Sequence, residues 1–261
     1  MIKIIKNDLI YYQFNKWGIP NCFTTKHGGV STGPPSTMNL DTTKDTKENV
    51  LKNYQIICNS IGTDFNSLTG IMQTHSSNVV VATSSEIGNV IHHKDKFGPA
   101  DAIITNDPSL TLVTTHADCL PLYFYDPVTN CIALAHAGWR GTVSLIAKKT
   151  VEQLKKTFGV QPKNLLAGIG PGIGACCFEV DSPVKDQFIN ITNINEYITN
   201  FGQKYKISLS SVNYTILQQS GINKSNITIT NVCTKCNGNI FHSHRLSGSS
   251  RGSMVAMLRL G

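Results

Sequence analysis

Runs of apolar residues separated by short polar turns dominate the middle of the chain. Asn78 to Ala82, Ala102 to Thr105, Leu110 to Thr115, Leu120 to Asp126, Cys131 to His136 and Leu165 to Ile169 all read as strands. Asp126-Pro127-Val128-Thr129-Asn130 is made of turn formers, so the strands flanking it should fold into a hairpin. Short strands are also expected within Met1 to Phe14, at Ile227 to Asn231 and at Met254 to Leu260.

The rhythm changes elsewhere. Val50, Leu51, Tyr54 and Ile57 recur at helical spacing behind Asp45-Thr46-Lys47-Glu48, which reads as a capping box. Val143, Ile146, Ala147, Val151 and Leu154 predict one helix from Gly141 until Gly159 stops it. Asp181-Ser182-Pro183 opens another helix, and Leu209 to Gln219 forms a further one. Thr24 to Asp41, rich in Gly, Pro and Ser, reads as loop. Antiparallel strand pairs mixed with helices predict an α/β fold, and the absence of a linker or repeat makes residues 1–261 one domain.

Composition narrows the function classes. With 40% hydrophobic and 15% charged residues the 261-residue chain is globular rather than disordered. The net charge of +7 comes from scattered lysines, with no arginine-rich stripe, so nucleic acid is not the expected partner. The first residues lack the apolar core of a signal peptide, and no apolar run is long enough to span a membrane. A cytoplasmic protein is expected, with its eight cysteines reduced and available for packing, metal or catalysis.

Candidate chemistry concentrates on the hairpin. One strand starts from His116-Ala117-Asp118-Cys119, and the other ends in His136-Ala137-Gly138-Trp139-Arg140-Gly141, so Cys119 and His136 should meet at one end of a sheet. A thiolate and an imidazole there can ligate zinc or copper, or act as nucleophile and base. A catalytic metal usually has three protein ligands, and His75, in a polar loop, is the best third candidate. His116 competes for that place or supports it from outside. His92-His93 reads as a solvated loop.

Other motifs are weaker. Cys233-Thr234-Lys235-Cys236 is a CxxC without a second CxxC to complete a structural zinc set, and Cys176-Cys177 reads as structural. The Gly168-to-Gly174 turn is interrupted by Pro171 and lacks the acidic residue of a dinucleotide fold. Arg245 and Arg251, on a Gly/Ser-rich loop, suit phosphate or carboxylate recognition, and Arg140 is a rival because of its proximity to His136.

Taken in order, His27-Gly28-Gly29-Val30-Ser31, Met38-Asn39-Leu40, Gln73-Thr74-His75, Ala100-Asp101-Ala102, Ala117 to Pro121, Ala135 to Gly141, Gly170 to Gly174 and Cys233 to Arg251 resemble the YfiH family, also called the laccase-domain or multicopper polyphenol oxidase family. Thr74 and His116 depart from its commoner residues. The resemblance implies layered mixed sheets with flanking helices and zinc on His75, Cys119 and His136. It also implies phosphorolysis of purine nucleosides (adenosine, inosine, methylthioadenosine) with adenosine deamination. Phosphate would then be held by Arg245 or Arg251. Two other classes stand beside this one. One is a metal-free Cys119–His136 hydrolase acting on an amide or cell-wall precursor. The other is a copper oxidase, for which eight histidines with one His-x-His pair, His242-Ser243-His244, are a poor supply.

Overall fold

Alternation of side chains along the central strands decides the architecture. The computed structural model describes residues 1–32, 37–92, 97–191 and 194–261. Among these residues the strands form three sheets. The first runs β1 (Ile2–Lys6), β2 (Leu9–Gln13), β3 (Asn21–Thr24), β15 (Met254–Arg259), β7 (Thr111–His116) and β4 (Leu68–Gly70). The second runs β14 (Ile227–Ile229), β10 (Leu166–Ile169), β8 (Leu120–Asp126), β9 (Cys131–Ala137), β6 (Ala102–Thr105) and β5 (Val79–Val81). The small third sheet is β11 (Glu179–Val180), β13 (Lys204–Ile207) and β12 (Ile198–Phe201). The helices are α1 (Lys47–Ile61), α2 (Asn89–His92), α3 (Trp139–Val143), α4 (Ile146–Phe158), α5 (Ser182–Asp186), α6 (Leu209–Gln219) and α7 (His244–Ser247).

Successive residues of β9 enter different cores. Ile132 and Leu134 pack with Leu112, Tyr123, Met254, Ala256 and Leu258 between the two large sheets. Cys131, Ala133, Ala135 and Ala137 pack under α4 and α6, with Ile146, Val151, Leu154, Val212 and Ile216. On the far side Val255 and Met257 of β15 meet Val50, Tyr54 and Ile57 of α1. The result is helix, sheet, sheet, helix, which is why the central strands are apolar on both faces rather than alternating. Each large apolar side chain buried there contributes roughly 1.5–3 kcal/mol. Tyr123 also joins the sheets directly, its hydroxyl donating to the Cys22 carbonyl at 2.7 Å.

The layered mixed α/β architecture is as expected, with local differences. Thr46, not Asp45, caps α1 by accepting from the Asn49 N–H, and the reciprocal capping box lies instead at Thr83 and Glu86. The helix expected from Gly141 to Gly159 is two helices, because Leu145 takes a left-handed φ of +61° between α3 and α4. His92 is the exposed end of a short, otherwise half-buried helix rather than part of a loop, while His93 and residues 33–36 of the expected loop lie outside the described residues. No helix among the described residues is long and apolar enough to cross a membrane.

Candidate metal centre

Two crossings between the large sheets deliver the candidate ligands to one end of the sandwich. β4 and β7 are parallel neighbours, so both leave the first sheet at the same end. From β4 a loop carries His75 to β5, and from β7 only residues 117–119 separate His116 from β8 in the second sheet. That tight crossing requires Asp118 at φ +87°, and His75 sits at φ +60°. Both are left-handed conformations that a non-glycine residue adopts only when its surroundings hold it there. His136 comes from β9, where alternation with Ile132 and Leu134 points it between the sheets. Its register neighbour is Pro121, two residues from Cys119.

The three side chains converge, with one potential ligand atom from each of His75, Cys119 and His136 within 4.8 Å of the others. Cys119 Sγ lies 3.9 Å from His75 Nε2, and the rings of His75 and His136 meet edge-on at 4.9 Å. Tetrahedral ligation by zinc would put a sulfur and a nitrogen about 3.6 Å apart, so a shift of a few tenths of an ångström closes the set. His75 is exposed, which leaves one side of the cluster open to solvent. Two imidazoles and a thiolate with an open side can hold a zinc or copper ion.

Asp101 is the member of this centre without an assigned role in the sequence reading. It lies immediately before β6, whose Ala102 pairs with Ala135, and this register sets it beside His136. Its carboxylate is fully buried and accepts from His136 Nδ1 at 2.8 Å. It also accepts the backbone N–H groups of Thr74, His75 and Ser76 and the Ser76 hydroxyl. One carboxylate therefore fixes the His136 tautomer, leaving Nε2 for the metal, and pins the strained loop that carries His75. Histidine 116 plays a different part from a ligand. It is buried, its Nδ1 is 3.0 Å from the Cys119 carbonyl and its Nε2 is 2.8 Å from the Thr114 hydroxyl. Burial pushes its pKa well below 6.5, so it stays neutral and braces the crossing.

Charge follows the same geometry. Burial opposes ionisation of Cys119, but the charge and hydrogen bonds of His136 and His75 prevail and bring the thiol to about 6. Burial opposes protonation of His136, yet the Cys119 thiolate and Asp101 raise it to about 9. Burial would raise Asp101 too, and the bonds from His136 and Ser76 hold it at about 2. Without a metal the pair is therefore a thiolate and an imidazolium near neutral pH, and metal capture releases the His136 proton.

Gly138 lets the backbone close over the cluster: a Cβ there would lie 2.8 Å from Cys119 Sγ and 3.2 Å from His75 Cδ2. Gly138→Ala should therefore displace both ligands and weaken metal binding roughly 10-fold, the lower end of the effect of disturbing ligand support. Titration against a chelator of known affinity measures this, and unchanged affinity would contradict the assignment.

The remaining candidates lie elsewhere. Arg245 is bound through its backbone N–H to Asp118 Oδ2 at 2.7 Å, next to Cys119. Its guanidinium turns outward, with Nη1 donating to the carbonyls of Cys177 and Glu179. Arg251 is engaged with Ser253 and Asp41, and Arg140 stacks on Trp139. His242 is buried, with its Nε2 3.1 Å from the Met38 carbonyl, while His244 is exposed, and neither falls in a group of metal-capable side chains among the described residues. The CxxC is not short of partners, as Cys176 and Cys177 are brought to it, a juxtaposition hidden by 59 or 60 residues of separation. A cleft of about 390 Å³, lined by Ile71, Met72, Gln73, Val113 and Thr115 among others, lies along the segments that lead to His75 and His116.

A family model described as multi-copper polyphenol oxidoreductase laccase matches residues 20–261. The chain belongs to this family. Relatives similar to it include the purine nucleoside phosphorylase YlmD of Bacillus subtilis, 33% identical over 90% of this chain and 86% of the relative. A purine nucleoside phosphorylase of Deinococcus radiodurans is 31% identical over 93% of this chain and 89% of its own. Among solved structures, YfiH of Bacillus licheniformis aligns with a TM-score of 0.91 and 29% identity, covering 98% of this chain and 97% of that one. YlmD of Geobacillus stearothermophilus aligns at 0.90 and 28%, covering 99% and 98%. The family's laccase description and its members' phosphorylase names point to different chemistry, so the geometry of the centre has to choose between them.

Proposed function

We propose that this chain is a zinc-dependent purine nucleoside phosphorylase that also deaminates adenosine. The observation that carries this reading is the open-sided set of His75, Cys119 and His136, backed by Asp101, in a chain whose relatives are named purine nucleoside phosphorylases. Zinc suits two imidazoles and one thiolate, and when bound it supplies a Lewis acid at the open side. Among the described residues only two groups of three or more metal-capable side chains occur, this one and a set of four cysteines, which argues against a cluster of several coppers.

The chain's own residues supply the rest. Asp101 keeps the proton of His136 on Nδ1. His116 fixes the Cys119 backbone without carrying charge. In phosphorolysis a phosphate oxygen bonds to the ribose anomeric carbon as the bond to the purine nitrogen breaks, giving ribose 1-phosphate and free base. Arg245 is our candidate to hold that phosphate, on the strength of its Gly/Ser-rich loop and of its backbone bond beside Cys119. Its backbone is tied to Asp118, and among the described residues its side-chain hydrogen bonds both use Nη1, which leaves Nε and Nη2 to donate to an oxyanion.

Chromatography of adenosine incubated with the purified protein, with and without phosphate, tests the reading. Adenine formed only with phosphate marks phosphorolysis, and inosine formed without it marks deamination. No product above a His75→Ala control would overturn the proposal. Metal-free protein alkylated selectively at Cys119 would instead favour the cysteine hydrolase.

A further inference from the structure

We propose that Cys176, Cys177, Cys233 and Cys236 form a second metal site, a structural tetrathiolate for zinc, with ligands separate from those of the centre described above and not resting on the activity proposed for it. All four sulfurs lie within 4.8 Å of one another. Cys236 Sγ is 3.4 Å from both Cys176 Sγ and Cys177 Sγ. A zinc ion with four sulfurs at about 2.3 Å has sulfur–sulfur edges of about 3.8 Å, so the cage is close to the required size. A sulfur equidistant from two others suits a shared central ion better than a disulfide, which can join only one of them.

The surrounding backbone is arranged as a thiolate cage requires. Gly174 donates its N–H to Cys233 Sγ at 3.2 Å, and the Cys236 N–H is directed at the same sulfur. A Cβ on Gly174 would lie 3.1 Å from Cys233 Cβ and 3.2 Å from Cys176 Sγ, so a side chain there would push the cysteines by a few tenths of an ångström. Gly172 and Cys233 form a parallel bridge that locks the two cysteine-bearing segments together. Loading the site exchanges four thiol protons for one zinc ion, with no oxidant or reductant. The resulting net charge of −2 is set against the Arg245 guanidinium, which already binds the Cys177 carbonyl at 3.2 Å.

Such a site answers a structural need. Between β14 and α7, residues 230–243 contain no helix or strand. A segment of this length without secondary structure inside a folded domain needs a tether. This one also positions the centre next door. Thr234, inside the CxxC, donates its hydroxyl to Asp118 Oδ1 at 2.5 Å, and Asp118 precedes Cys119.

The test is the metal content of the full-length protein, kept reduced and loaded with zinc sulfate. About two zinc ions per chain are expected. Cys236→Ser and Cys119→Ser should each retain about one, and the double variant none. X-ray absorption of the wild type, which needs no variant to fold, should give five sulfur ligands for every two zinc ions, from these four cysteines and Cys119. No zinc after loading, a single zinc ion that is lost in Cys119→Ser and kept in Cys236→Ser, or two zinc ions with a smaller share of sulfur, would overturn the proposal. So would wild-type zinc content unchanged by Cys236→Ser, or an intact mass showing these cysteines paired as disulfides. Loss of the His75–Cys119–His136 ion alone would count against the proposed activity and leave this site standing.

Discussion

On the proposed function, the Cys119→Ser variant should lose the ion at the His–Cys–His centre and roughly 10³-fold of its phosphorolysis rate, because a Lewis acid worth several kcal/mol would leave with it. Serine is nearly isosteric, but its hydroxyl does not ionise near neutral pH, whereas the Cys119 thiol is brought down to about 6 by its two histidines. The substitution also removes one of the two counter-charges of His136, whose rise to about 9 comes from the thiolate and from Asp101 together. Turnover of inosine with phosphate and zinc per chain should fall together. A variant with the metal lost and turnover intact would remove the ion from the reaction.

Asp101→Asn should weaken metal binding by about 10- to 100-fold, as expected when the partner of a ligating histidine is altered. An amide can still accept from His136 Nδ1 but brings no charge. Its NH2 group would also face the N–H groups of Thr74 and Ser76, which now donate to the carboxylate. The loop carrying His75 should loosen as well. Competition with a chelator reads the affinity. A pH series of urea melts on the metal-free protein provides a second readout. Asp101 titrates at about 2 in the fold against 3.8 ordinarily. Its contribution to stability is therefore complete above about pH 4 and is lost as the pH falls through 2, and the variant should lack that acid limb. Wild-type affinity and an unchanged acid limb would together reduce Asp101 to a packing residue.

How much of this could be read in the sequence varies with the range of the interactions. The β8–β9 hairpin announces itself through two apolar runs around a turn, and with it the meeting of Cys119 and His136. His75 was legible as a polar-loop histidine in a recurring motif, although the crossing that brings it in spans the two sheets. Asp101 gave no local sign, because its partners lie 25 to 35 residues away. Asn21 to Thr24 went unread as a strand because all four residues are buried and show no alternation. The break at Leu145 was masked by apolar spacing that continues through it. The four cysteines were legible as two pairs and illegible as one cage, since the contacts that unite them, the Gly172–Cys233 bridge among them, join segments far apart in sequence.

β15 has consequences for how the molecule comes into being. It holds nearly the last residues of the chain, yet it lies between β3 and β7 in the middle of the first sheet. Without Met254 to Arg259 that sheet is two halves with facing raw edges, so this one strand is the keystone of the first sheet. Nascent or shortened chains lacking this strand would expose two unpaired edges, the surfaces from which strand-to-strand aggregation starts.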